Sequence, residues 1–275
     1  MTVKETIARS TVPNLSVRRE LLREKLENFP WWFLAILALA VLAGTMVFTQ
    51  PSFNQAFQFI VAGLSVTVLT TLAAFAFALV LGLLAGLGRI SRSVVVRNVA
   101  TLYVEIVRGI PMLVLIFVIA LVGVPALVRL IQSTGIGTLE TNEIPMNLRA
   151  IVALSFTYGA FTAEVFRAGI QSIGKGQMEA ARSQGMSYWQ AMRYIILPQA
   201  VRNVLPALGN DFISMLKDSS LVSVLAVRDI TQVARLYAGQ TFRFSEAYTT
   251  LAAMYLTMTV LLSLLVKALE KRYHQ

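Results

Sequence analysis

GQMEAARSQGMSYWQAMRYIILP (Gly176–Pro198) is a polar stretch set between long apolar segments, and its reading decides the architecture. Residues 176–184 favour helix, Gly185 is a natural helix stop, and Ser187 can cap a second helix running through Ile196. Pro198 is expected to end that second helix. The pattern predicts a helix–glycine–helix hairpin projecting from apolar surroundings into water. Met186, Tyr188 and Trp189 fall near its bend, where an anchor for a partner's cleft would be placed. A self-packed loop that only joins its neighbours would have the same spacing.

The composition around this stretch is that of a membrane protein. Of 275 residues, 56% are hydrophobic and 14% charged, and the mean hydropathy is +0.68. Soluble domains carry roughly a quarter charged residues. There is no cysteine, which excludes disulfides, thiolate metal sites and cysteine nucleophiles. The single histidine, His274, leaves no histidine-based catalytic constellation or metal site. No GxxxxGK[ST] loop is present to cradle phosphates, so the chain has no means of hydrolysing ATP alone. The sequence reads as a subunit without its own chemistry, and not as an enzyme.

Hydropathy marks six candidate spans, at 31–49, 58–88, 98–122, 148–170, 207–228 and 247–268. A helix rising about 1.5 Å per residue needs roughly 20 apolar residues to cross a ~30 Å hydrocarbon core. The fifth span (DFISMLKDSSLVSVLAV) is the most polar, and is retained because the charges demand an even number of crossings. With both termini cytoplasmic, inner segments hold seventeen Lys and Arg and outer segments five, leaving Arg108 and Lys217 within spans. The net charge of +10 is thereby explained by topology, and nucleic-acid binding is not needed. The expected fold is an all-α polytopic membrane protein with six transmembrane helices.

Residues 1–30 include NLSVRRELLREKLEN (14–28), whose leucines and mixed charges suggest an amphipathic helix at the cytoplasmic surface. A cleaved signal peptide is the rival reading of residues 1–44. The long leader and the lack of a small-x-small site favour an uncleaved first span. The outer loops 123–147 and 229–246 offer surfaces to an extracytoplasmic partner or serve as connectors. Residues 269–275 form a short cytoplasmic tail.

Within the hairpin, Glu179-Ala180-Ala181, three residues, Gly185, nine residues and Ile195-x-Leu197-Pro198 form a pattern that resembles the EAA loop of bacterial ABC importer membrane subunits. Three further stretches are similar to the permeases for polar amino acids, the histidine, glutamate, glutamine, arginine and opine group. They are YVEIVRGIPMLVLIF (103–117), YGAFTAEVFRAGIQSIGKGQMEAARSQGMS (158–187) and ILPQAVRNVLPALGNDFISMLKDSSLVSV (196–224). The likeness covers roughly residues 58–268, which would be the importer's transmembrane domain, with 171–206 its cytoplasmic coupling loop. It implies that Glu179, Ala180, Ala181, Gly185, Met186, Ile195, Leu197 and Pro198 couple the chain to a cytoplasmic ATPase dimer. It also implies a second permease subunit (the same chain or a related one), an extracytoplasmic amino-acid-binding protein, and residence in the bacterial inner membrane. ATP and Mg²⁺ would sit on the ATPase, and no cofactor on this chain. Such permeases commonly have five core spans with the N-terminus outside, so the helix at 31–49 is an addition.

Charges inside spans are costly and normally face a cavity or a partner. Glu105 and Arg108, and Glu164 and Arg167, are each three apart and can pair on one helix face. They are ties between helices or elements of an inner gate. If the fifth span starts near Ala207, Lys217 lies roughly 15 Å in, close to mid-bilayer. Lys217 and Asp218, with Ser219, suit the ammonium and carboxylate of a zwitterion, or form a structural network that includes Asp211. Tyr158, Thr162, Thr67 and Thr71 are further candidate hydrogen-bonding groups along the passage. Gly82 and Gly86 are better read as a helix-packing motif than as function. Pro111 should bend or break the third span. Two other classes compete with an importer permease, namely a secondary transporter and a non-transporting scaffold. The identity of the cargo is not legible.

Overall fold

The computed structural model describes residues 31–135 and 140–273. Readings placed on residues 1–30 lie outside the described residues. The chain divides into two units between Thr45 and Met46, and the site lies wholly in the second. Among the described residues every regular element is helical. Helix α1 (Trp31–Thr49) carries no charged residue on any face, as expected of a helix surrounded by lipid. α2 (Pro51–Arg89), α3 (Val94–Gly109), α4 (Met112–Ser133) and α5 (Met146–Gln171) follow. Then come α6 (Lys175–Ser183), α7 (Tyr188–Ala191), α8 (Leu197–Asp218), α9 (Ile230–Thr241) and α10 (Phe244–Tyr273). Among the described residues three helices are long and apolar enough to cross a membrane by length and composition: α2, α4 and the Phe244–Lys271 part of α10.

Small residues set how closely the helices approach. A Cβ at Gly82 of α2 would lie 2.0 Å from Thr162 Oγ1 of α5, and one at Gly86 would lie 2.8 Å from the Ala163 carbonyl oxygen. Thr162 Oγ1 also donates across this seam to the Ala78 carbonyl at 3.1 Å. Lipid offers no hydrophobic drive for helices to associate, so close backbone approach and interhelical hydrogen bonds hold them together. α5 meets α8 where Gly169 faces Val204, and α8 meets α10 where Gly209 faces Val266. Among the described residues the largest apolar cluster joins α2, α4, α5 and α8 and includes Ala74, Ala78, Ile116, Leu154, Tyr158 and Met215.

Three expectations about the spans change. Beyond the break at Ile110–Pro111, which was expected, α4 carries on to Ser133 through the segment expected to be loop. Pro198 does not end the hairpin's second helix. A π-helical turn, Met192–Ile196, joins α7 to α8 without a break. There the Leu197 N–H reaches back to the Met192 carbonyl instead of its α-helical partner. The register shift turns the preceding carbonyls away from the proline ring, which would otherwise clash with the carbonyl four residues back. The same device carries α4 past Pro125, where Val124 N–H bonds the Ile119 carbonyl after the π turn Val118–Gly123. Finally, the fifth apolar segment is helical from Leu197 to Asp218 and then breaks into a 3₁₀ turn, Ser219–Leu225. A depth counted from Ala207 therefore does not apply to Lys217, which lies in the last turn of α8.

Candidate functional site

The hairpin is built by local chemistry. Gly185 has φ +83°, in the left-handed region. The Met186 N–H donates to the Ala181 carbonyl (3.2 Å) and the Gly185 N–H to the Arg182 carbonyl (3.0 Å), the paired bonds of a Schellman stop. Ser187 Oγ accepts the Gln190 N–H (3.3 Å) while Gln190 Oε1 accepts the Ser187 N–H (2.8 Å), a complete capping box. The two helices are thus fixed in direction by bonds spanning only a few residues.

The eight residues assigned to the hairpin divide by exposure. Glu179, Ala180, Gly185 and Pro198 are exposed, whereas Ala181 is buried and Met186, Ile195 and Leu197 are half-buried. Ile195 and Leu197 pack against the cluster Ile170, Met192, Ile196 and Ala200 at the hairpin's root, with Met178, Ile173, Leu87 and Ile90 around it. The outer face carries Trp189, 78% exposed, in edge contact with the Tyr188 ring. This element presents a large bare aromatic on a rigid support.

Beneath the hairpin lies a cluster of charges on three helices. Arg89, at the end of α2, donates to Glu164 of α5 (2.7 Å) and to Glu105 of α3 (3.2 Å). Arg167 forks onto the same Glu164 carboxylate and also donates to Gln171. The anticipated pairing of Glu105 with Arg108 is not made. Arg89 reaches Glu105 from the neighbouring helix end, and Arg108 has no ion pair among the described residues. In the sequence Arg89 is only one of the seventeen inner Lys and Arg, and no local spacing could have revealed a tie to partners 16 and 75 residues away.

The remaining passage candidates separate in the same way. Tyr158 donates to Asp218 Oδ2 at 2.6 Å, joining α5 to the end of α8. Lys217 is exposed and makes no ion pair among the described residues. Ser219 is fully buried and its hydroxyl donates to the Leu216 carbonyl (2.7 Å), so it does not face a passage. Thr67, Thr71 and Thr162 are also buried, and their hydroxyls serve backbone groups: Gly63 and Ile230, Thr67, and Ala78 respectively. Thr67 and Thr162 tie neighbouring helices and Thr71 serves its own helix, so none is left to solvate a ligand. Asp211 Oδ2 is buried without a hydrogen-bond partner. Glu164 also borders a cavity of about 530 Å³ between α5 and α8, whose other polar lining is Ser172 and Asn203. Among the described residues no group of three or more acidic, histidine or cysteine side chains is placed to hold a metal.

Residues 78–275 match the family described as the binding-protein-dependent transport system inner membrane component, and the chain belongs to that family. It is 40% identical over 206 residues to the probable glutamine ABC transporter permease protein GlnM of Bacillus subtilis (strain 168), covering 75% of this chain and 89% of that one. It is 32% identical over 229 residues to the glutamine transport system permease protein GlnP of Escherichia coli (strain K12), covering 82% and 98%. Among solved structures it is similar to an amino acid ABC transporter crystallised with histidines, at 37% identity and TM-score 0.66 over 83% of this chain and 97% of that one. A subunit of the MetNI methionine ABC transporter, at 20% identity and TM-score 0.62, shares the fold. The chain is therefore a membrane-embedded transport component and not an enzyme. Its resemblance to ABC importer permeases holds, against a secondary transporter or a scaffold.

Proposed function

We propose that this chain is the permease subunit of an ATP-driven importer for polar amino acids, coupled to a cytoplasmic ATPase dimer through the hairpin around Gly185. The observation that carries the reading is the hairpin itself: two short helices locked by a Schellman stop and a capping box, with Trp189 bare at the bend. A connector has no need of an exposed tryptophan on a rigid support, whereas a docking anchor does. Glutamine-permease relatives and an amino-acid transporter neighbour support the cargo class.

In this reading six helices cross the membrane with both termini cytoplasmic, two permease subunits pair, and an extracytoplasmic binding protein delivers the cargo. ATP and Mg²⁺ are held by the ATPases, whose closure pushes the hairpins and rocks α5 and α8, the two helices each hairpin joins. Lys217 and Asp218 face the cargo's charged ends. Tyr158 orients Asp218, and the cluster of Glu105, Glu164 and Arg108 borders the inner end of the passage.

Reconstitution with candidate ATPase partners, scoring ATP-dependent uptake across a panel of amino acids, tests the assignment. Wild type is expected to transport only with an ATPase and ATP. Gly185→Pro is expected to abolish uptake, since proline cannot adopt φ +83° and lacks the N–H that caps Arg182. Lys217→Ala and Asp218→Ala are expected to lower uptake while the ATPase remains bound. Transport by the wild type without any ATPase, or full coupling in Gly185→Pro, would sink the assignment.

A further inference from the structure

The turn between α2 and α3 faces two ways. Its first side chain, Arg89, points into the membrane domain and holds Glu164 and Glu105. Leu87 and Ile90 point into the hairpin's apolar root, against the cluster of Met192 and Ile196, which Met178 of α6 also joins. Arg92 lies over the Tyr188 ring of α7, its guanidinium carbon 5.5 Å from the ring centroid. The hairpin's second arm therefore rests on this turn directly, and its first arm joins the same apolar cluster.

The turn is also stiff. Ser91 N–H donates to the Gly88 carbonyl (3.1 Å), and Ser93 N–H to Ser91 Oγ (3.2 Å). Ser93 then caps α3 by accepting the Val96 N–H. A Cβ at Gly88 would lie 2.9 Å from the Ala100 Cβ, so the arms of the turn are packed to contact. A connection this short and this braced transmits a displacement instead of absorbing it.

We propose that residues 87–92 form a second, non-covalent path from the hairpin to the charge cluster, with Arg92 the positioning residue that registers the hairpin on it. The chain's covalent path runs from the hairpin into α5 and α8. The second path runs from Tyr188 through Arg92 and Ile90 to Arg89, and so reaches Glu105 on α3, which the covalent path does not touch. Motion of the hairpin then changes how Arg89 is shared between Glu164 and Glu105, moving α3 together with α5. This inference rests on the hairpin being the element that docks the ATPase.

The test uses the full transporter with its ATPase in proteoliposomes and reads amino acid taken up per ATP hydrolysed. A cation–π contact at an exposed site corresponds to roughly a two- to fivefold effect. Arg92→Ala and Tyr188→Ala are each expected to lower the uptake-to-ATP ratio about two- to fivefold, with ATPase co-purification unchanged in Arg92→Ala. The double variant is expected to be no worse than the poorer single variant. Tyr188→Phe keeps the ring face and is expected to restore the ratio, with Arg92→Lys intermediate. Multiplying effects in the double variant, or an unchanged ratio in Arg92→Ala, overturn the path. Gly185→Pro in the same assay separates the two ideas. If it leaves uptake and ATPase association intact, the docking role fails and the path fails with it. If it uncouples transport while the Arg92 and Tyr188 effects multiply, the path alone fails.

Discussion

Replacing Gly185 by alanine isolates the backbone contribution to the hairpin. A Cβ built at Gly185 finds no heavy atom within 4 Å, so the substitution meets no steric clash with the rest of the protein. Its cost comes from φ +83° alone, and a left-handed residue with a Cβ costs about 1–2 kcal/mol. Alanine also narrows the unfolded ensemble, which returns about 0.4–1 kcal/mol. The net is about 1 kcal/mol against the Schellman stop, or roughly fivefold in its open population. Hydrogen exchange read by mass spectrometry should show about fivefold faster exchange at the Gly185 and Met186 amides, with protection in α2 and α5 unchanged. Gly185→Asn should exchange less, because asparagine visits this region more readily. Gly176, inside α6 with open space around it, supplies the opposite sign. Gly176→Ala should protect the same hairpin by about 0.5–1 kcal/mol through helix propensity. Equal or slower exchange in Gly185→Ala would refute the reasoning, since no packing gain is there to offset the backbone.

Gly82→Val should destabilise the α2–α5 seam by about 1–3 kcal/mol through overpacking, seen as a thermal midpoint lower by a few degrees in detergent; an unchanged midpoint would contradict the close approach at Thr162. Glu164→Gln removes the charge shared by Arg89 and Arg167 and should cost about 1–3 kcal/mol, whereas Glu105→Gln should cost under about 1 kcal/mol, because the Glu105 side chain is 64% exposed; denaturation of both variants in one detergent checks the order. Ser187→Ala should loosen the start of α7 by about 1 kcal/mol, read as faster exchange at the Gln190 amide with α6 unaffected.

How legible each feature was in the sequence follows the range of the interaction that makes it. The stop at Gly185 and the cap at Ser187 depend on bonds reaching only a few residues, so residue type and spacing sufficed to place them. The break at Pro111 was legible for the same reason. Pro198 misled, because its tolerance is set by the register of the π turn before it, and no residue type marks that turn. The threonines misled too. A hydroxyl in a span can satisfy a ligand or the backbone of its own helix, and Thr71 bonding the Thr67 carbonyl at 2.8 Å shows the second use.

The charges make the same point on function. Glu164 and Arg167 meet within one helix, where spacing is a sound guide. Glu105 and Arg108 have the same spacing, yet Glu105 turns to Arg89, which arrives from another helix close by. Three-residue spacing only makes a pair available, and a competing partner brought by the fold decides whether it forms. That competition makes Arg89 the common partner of two carboxylates on different helices, and hence a node that responds when those helices move. The hairpin's own sequence carries no hint of this. It becomes visible only because the turn that holds Arg89 also holds Arg92, and Arg92 rests on Tyr188.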